Sequence, residues 1–162
     1  MSARARSVTA VPTSIAPDEV EYWFASHRRS AGLARAALRQ QLRQWGIGGE
    51  TVDVAELLLA ELVANAVEAQ AQAQAQAQAE TEAEPAAGQV VGVRFTLKAP
   101  GLRVEVADTA EGWPVVNQAE EGDECGRGLA VVAALADAWG VASYEGGKSV
   151  WAELAITMVT VR

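Results

Sequence analysis

Residues 61 to 69 read ELVANAVEA and follow the apolar run VAELLLA, so a carboxylate, Glu61, and an amide, Asn65, stand one helical turn apart beside residues suited to a core. At about 100° per residue the two lie roughly 40° apart on a helical wheel, on a stripe shared with Leu58 and Glu68. Their Cβ atoms are then about 6 Å from each other. Such a pair can hold a cation or phosphate oxygen with one group and take a proton from a hydroxyl or water with the other. It also reads as an exposed polar pair on a helix. Asp108 closes the run LRVEVAD, where an acid either accepts a hydrogen bond from a ligand amino group or opens a turn. GRGL, Gly126 to Leu129, puts two glycines at a helix start, where free N–H groups and the helix dipole favour an anion.

The elements around these residues follow from apolar spacing. VEYWF, 20 to 24, reads as a strand, and ASHRRS as a loop with a solvated His27. Ala31, Ala34, Leu38, Leu42 and Trp45 recur at helical spacing, which predicts an amphipathic helix over 31 to 45, stopped by GIGG. Thr51 or Asp53 caps a second helix, with Leu58, Leu59, Leu62, Val63 and Ala66 on its packed side. AQAQAQAQAQAETEAEPAAG, 69 to 88, has no apolar periodicity to seat it on a core. Alanine and glutamine favour helix, so the second helix runs on into solvent until Pro85 and Gly88.

VVGVRFTLK and LRVEVAD alternate and make a hairpin around APG, with Val91, Val93, Phe95 and Leu97, then Leu102, Val104 and Val106, on one face. A loop runs from Thr109 to Cys125. GRGLAVVAALADAW predicts a helix with a stripe of Leu129, Val132, Leu135, Ala136 and Trp139, ended by Gly140. VASY and SVWAELAI close the chain as a second hairpin. The order strand, helix, helix, hairpin, helix, hairpin predicts an α+β fold, a two-layer α/β sandwich with helices on one face of a mostly antiparallel sheet.

At 162 residues, 50% hydrophobic and 21% charged, the chain suits one domain, because chains of this size bury roughly 70% of their unfolded surface. A net charge of -8 and a pI near 4.7 argue against nucleic acid or anionic lipid as partner. A single cysteine, Cys125, leaves no internal disulfide and fits a reducing compartment, the cytoplasm. No run of about 18 apolar residues suggests a membrane span. Residues 1–19 are expected to form a disordered tail.

Taken together, ExxxN on a helix, a strand ending in Asp, GRGL opening a helix and GGKSVWAEL on a final strand resemble the Bergerat-fold (GHKL) ATPases, the superfamily of gyrase, histidine kinases and the anti-sigma-factor serine kinases. LLLAELVANAV, GRGLAVVAALADAWGV and GKSVWAEL are similar to the stand-alone ATP-binding regulators common in actinobacteria. The resemblance spans about residues 20 to 156 apart from the insert and implies a histidine kinase-like ATPase domain over 20–158. By that resemblance Glu61 is the general base and Asn65 holds Mg²⁺ against the ATP phosphates. Asp108 reads the adenine amino group, Gly126 and Gly128 approach the phosphates with Arg127 beside them, and Ser149 helps to hold adenine through water. The implied function is an ATP-binding regulator that phosphorylates a serine or threonine of a protein partner, a sigma factor or the antagonist of one. The family's frequent dimers suggest a homodimer contact for Tyr22, Trp23 and Phe24, which equally suit the core.

The chain departs from the family pattern in three places. Ala110 stands where glycine is usual, the nearest being Gly112; Glu68 and Ala69 replace the usual arginine and histidine; and the alanine-glutamine insert follows directly. These departures motivate the alternative of an inactive Bergerat-fold module that regulates its partner by binding alone.

Overall fold

The computed structural model describes residues 18–81, 89–98, 100–108, 119–120, 127–144 and 147–156. The described elements are β1 (Glu19–Ala25), α1 (Ser30–Gln44), α2 (Glu50–Thr81), β2 (Val90–Lys98), β3 (Gly101–Ala107), β4 (Ala119–Glu120), α3 (Arg127–Leu135), β5 (Ala138–Tyr144) and β6 (Gly147–Ala155). The strands form one sheet in the order β1-β2-β3-β6-β5-β4, and every pairing is antiparallel.

Register explains the two faces. Phe24 pairs with Val91, Tyr22 with Val93 and Val20 with Phe95. The Tyr22 row continues through Val106 to Val150 and the Val20 row through Val104 to Ala152, with Leu102 and Leu154 paired in the next row. All of these are buried, and they share one core with Ala34, Leu38 and Leu42 of α1 and Leu58, Leu59 and Leu62 of α2. The helices therefore cover one face, as the alternation in β2 and β3 predicts. Tyr22 and Phe24 belong to this core, stacked with ring centroids 6.2 Å apart, so they do not form an exposed contact.

The opposite face carries charge and two tryptophans. Arg94 bonds Glu21 through Nε at 3.1 Å and Nη2 at 2.9 Å. Glu105, only 4% exposed, lies between Arg94 at 3.7 Å and Arg103 at 3.8 Å. Trp23 lies over Gly92 and Trp151 over Gly140, each so close that an added Cβ would meet ring carbon at 2.7 Å. Arg103 covers the Trp151 ring at 4.3 Å, a cation–π contact.

GIGG ends α1 by a specific device. The N–H of Ile47 bonds the carbonyl of Leu42 at 2.9 Å, and that of Gly46 bonds Arg43 at 3.2 Å. Gly46 has φ 73°, so this is a Schellman ending, and buried Ile47 supplies its apolar contact. Gly49, with φ 72°, then turns the chain into α2. That helix starts at Glu50, ahead of the expected caps, and Thr51 and Asp53 lie inside its first turn.

Two further boundaries differ from expectation. The third helix stops at Leu135, and Trp139 and Gly140 belong to β5. Asp137 N–H bonds Glu153 at 2.9 Å and the Asp137 carboxylate takes the Ala155 N–H at 2.6 Å, so pairing with β6 draws the chain out of the helix. Leu135 is correspondingly exposed. Within the stretch expected to be one loop, β4 pairs with β5. The expected tail lies almost wholly outside the described residues.

Candidate functional site

Helix α2 carries a stripe of buried residues, Thr51, Ala55, Leu58, Leu59, Leu62, Val63, Ala66 and Gln70, recurring every three or four positions as a core-facing helix requires. Glu61 and Asn65 flank that stripe and are half-buried. The Asn65 amide nitrogen is buried and has no hydrogen-bond partner among the described residues. An unmet buried donor costs about 1–3 kcal/mol, so a group that needs a ligand oxygen stands one turn from a carboxylate.

The stripe runs one residue into the alanine-glutamine segment. Gln70 is 8% exposed and its Nε2 donates to the Val90 carbonyl at 2.8 Å. This corrects the expectation that the whole segment lacks a core contact. Beyond Gln70 the helix continues to Thr81 with its described residues largely exposed, as the composition predicts. Glu68 is exposed as well and accepts a bond from Gln72 at 3.4 Å, so its charge is engaged along the helix surface.

Gln70 also ties α2 to the start of β2. Gly92 pairs with Ala107, which puts the start of β2 beside Asp108, just past the end of β3. Asn65 is five residues back from that tether, about 7.5 Å along the helix. At the other end, Leu135 of α3 shares a cavity of about 380 Å³ with Gly49, Glu50, Thr51 and Val54. Helix α3 packs against α2. Side-chain placement at Arg127 and everything at Gly126, Cys125, Ala110 and Gly112 lie outside the described residues.

Asp108 is held by the chain itself. Its N–H bonds the Lys148 carbonyl at 3.0 Å, and its Oδ1 accepts the Lys148 N–H at 2.6 Å. Burial pushes its carboxyl up from the ordinary 3.8, while the hydrogen bond from Lys148 and the Lys148 charge oppose that rise. Its own main-chain N–H adds a smaller lowering influence on the carboxyl. Oδ1 thus closes the sheet ladder, and a carboxylate has lone pairs for further donors.

Ser149 is not part of this arrangement. Ala107 pairs with Ser149, and both are fully buried on the face away from the helices, where the Ser149 hydroxyl donates to Glu105 at 3.4 Å. Strand alternation gives the reason: Val150 faces the helices, so Ser149 faces away and Lys148 faces as Asp108 does. Lys148 does not stand out in the sequence, although alternation counted back from Val150 identifies it.

The arrangement thus has an acceptor at a strand end, and a buried amide donor and a carboxylate one turn apart on α2. Asn65 and Glu61 offer oxygen donors suited to a hard cation. Among the described residues no three His, Cys, Asp or Glu side chains gather to bind a metal by themselves. Such a set fits Mg²⁺ carried in with phosphates, which completes its shell from the ligand.

Comparison with known proteins agrees with this architecture. A family model described as a histidine kinase-like ATPase domain matches residues 24–154. No curated protein matches the chain. Among solved structures, the RsbU and RsbW domains of Rv1364c from Mycobacterium tuberculosis superpose with a TM-score of 0.56 at 20% identity, covering 85% of this chain and 32% of that one. This chain therefore spans about a third of that protein's length, and at such identity the likeness is one of fold. With the match running from β1 to the end of β6, the chain belongs to the histidine kinase-like ATPase domain family.

Proposed function

We propose that this chain is an ATP-binding regulator of the anti-sigma kinase type, which takes ATP with Mg²⁺ and passes the γ-phosphoryl group to a serine or threonine hydroxyl of a protein partner. The observation that carries the reading is the buried Asn65 amide nitrogen, without a partner among the described residues, one turn from Glu61 in a chain of the ATPase family. Asp108 accepts the adenine amino group with its carboxylate. Asn65 orients the phosphates, and α3 directs its N–H groups at them, as helix N-termini do for anions. Mg²⁺ neutralises charge on the phosphates when bound there.

Glu61 takes the proton of the attacking hydroxyl as its oxygen bonds to the γ-phosphorus; the bond to the bridging oxygen breaks and ADP leaves. Most of the rate gain comes from placement and charge neutralisation. A sigma factor or its antagonist is the partner that the sequence resemblance to the anti-sigma-factor serine kinases implies, and a cytoplasmic setting goes with it. No described helix is long and apolar enough to cross a membrane.

The α2 extension favours a second reading. A helical arm running on to Thr81 offers a partner surface that needs no catalysis, so binding alone could regulate. Labelled γ-phosphate separates the two. Transfer to a partner that Glu61→Gln abolishes supports the kinase, whereas partner capture indifferent to ATP and to Asn65→Ala supports the binding module.

A further inference from the structure

The residue of β6 beside Asp108 is a lysine, and its surroundings give it a use. Val150, Ala152 and Leu154 face the helix layer, so Lys148, two residues before Val150, faces the same way. Asp108 follows Val104 and Val106 in the same alternation, and the last ladder pair, Ala107 with Ser149, leaves Asp108 and Lys148 side by side. The main chain of Lys148 secures the carboxylate at 2.6 Å. Lys148 as a residue is half-buried and makes no ion pair among the described residues, yet its charge is near enough to oppose the upward shift of the Asp108 carboxyl. An acceptor and a donor therefore stand adjacent at one strand end, each with capacity for a ligand.

We propose that Lys148 is a base-reading residue: its ammonium donates to a purine ring nitrogen that flanks the amino group accepted by Asp108. This rests on the nucleotide reading above and adds the specificity element that Ser149, on the other face, does not supply. A lysine ammonium only donates, so the pair selects a heterocycle offering a donor and an acceptor side by side. Adenine does so with its amino group flanked by N1 on one edge and N7 on the other.

The test is titration calorimetry of wild type, Lys148→Met and Lys148→Arg with ATP, 1-deaza-ATP and 7-deaza-ATP. Methionine keeps the main-chain N–H that holds Asp108 and much of the side-chain bulk, and thermal unfolding checks that each variant is folded. Wild type should bind one deaza analogue about tenfold more weakly than ATP, as expected for loss of a hydrogen bond from a charged donor. That difference should collapse in Lys148→Met and return in Lys148→Arg; the analogue affected identifies the nitrogen. Equal preference in wild type and Lys148→Met for both analogues would overturn the assignment while leaving ATP binding in place. Failure of wild type to bind ATP at all would overturn the nucleotide reading and this inference with it.

Discussion

The main-chain N–H of Lys148 donates to the Asp108 carboxylate at 2.6 Å, and at the other end of the same strand the N–H of Ala155 donates to Asp137 at 2.6 Å. Strand β6 is thus clamped at both ends by aspartates. The two differ in setting: Asp137 is exposed, whereas Asp108 is half-buried beside the start of β2, and burial raises its carboxyl.

Replacing Asp108 separates these roles. An aspartate whose carboxyl is raised on folding takes a proton more readily in the folded state, so its contribution to stability is greatest below the ordinary carboxylate range, is lost as pH rises through the raised value, and is constant above it. An asparagine side chain in its place would keep an acceptor for the Lys148 N–H without the buried charge. Asp108→Asn is therefore expected to unfold at a higher temperature than wild type at neutral pH. The advantage should shrink on acidification and be gone below the ordinary carboxylate range. Thermal melts across pH check this, and ATP affinity should fall at least about tenfold in the same variant.

Gln70 anchors the extended helix through the Val90 carbonyl. Deleting residues 71–87 should leave cooperative unfolding intact, with Tm close to that of wild type, because the arm beyond Gln70 buries little. Gln70→Ala in the full chain should cost about 1 kcal/mol in a denaturant titration, the value of one hydrogen bond whose buried partner is then unmet.

The tryptophan on Gly140 sets a packing limit on the outer face. A Cβ at Gly140 would stand 2.7 Å from the Trp151 ring, so Gly140→Ala should destabilise by about 1–3 kcal/mol through overpacking. Pairing it with Trp151→Leu should recover part of that loss. A double-mutant cycle measures the coupling; strictly additive losses would show that the two do not meet.

These cases also show what can be read from residue order. The alternation of Val91, Val93 and Phe95 locates the hairpin, its inward face and the helix layer over it, because period-two burial is a local property of a strand. ELVANAVEA places Glu61 and Asn65 beside the core stripe for the same reason at helical period. The end of α3 is not legible in this way, because ALADAW suits a helix by composition and only pairing of Asp137 and Trp139 with β6 decides for strand. A site role for Ser149 follows from motif position, while the face it occupies depends on register with Ala107. Gln70 looks like one member of a repeat, and its anchoring role comes from a carbonyl twenty positions away.

The central claim is that Asn65 and Asp108 belong to one nucleotide site. Its most direct test is calorimetric titration of ATP, with and without Mg²⁺, into wild type, Asn65→Ala and Asp108→Asn. Binding to wild type should be saturable and weakened in Asp108→Asn with or without the metal, with a gain from Mg²⁺ that Asn65→Ala loses. No heat at millimolar ATP, or affinity unchanged in both variants, would contradict it.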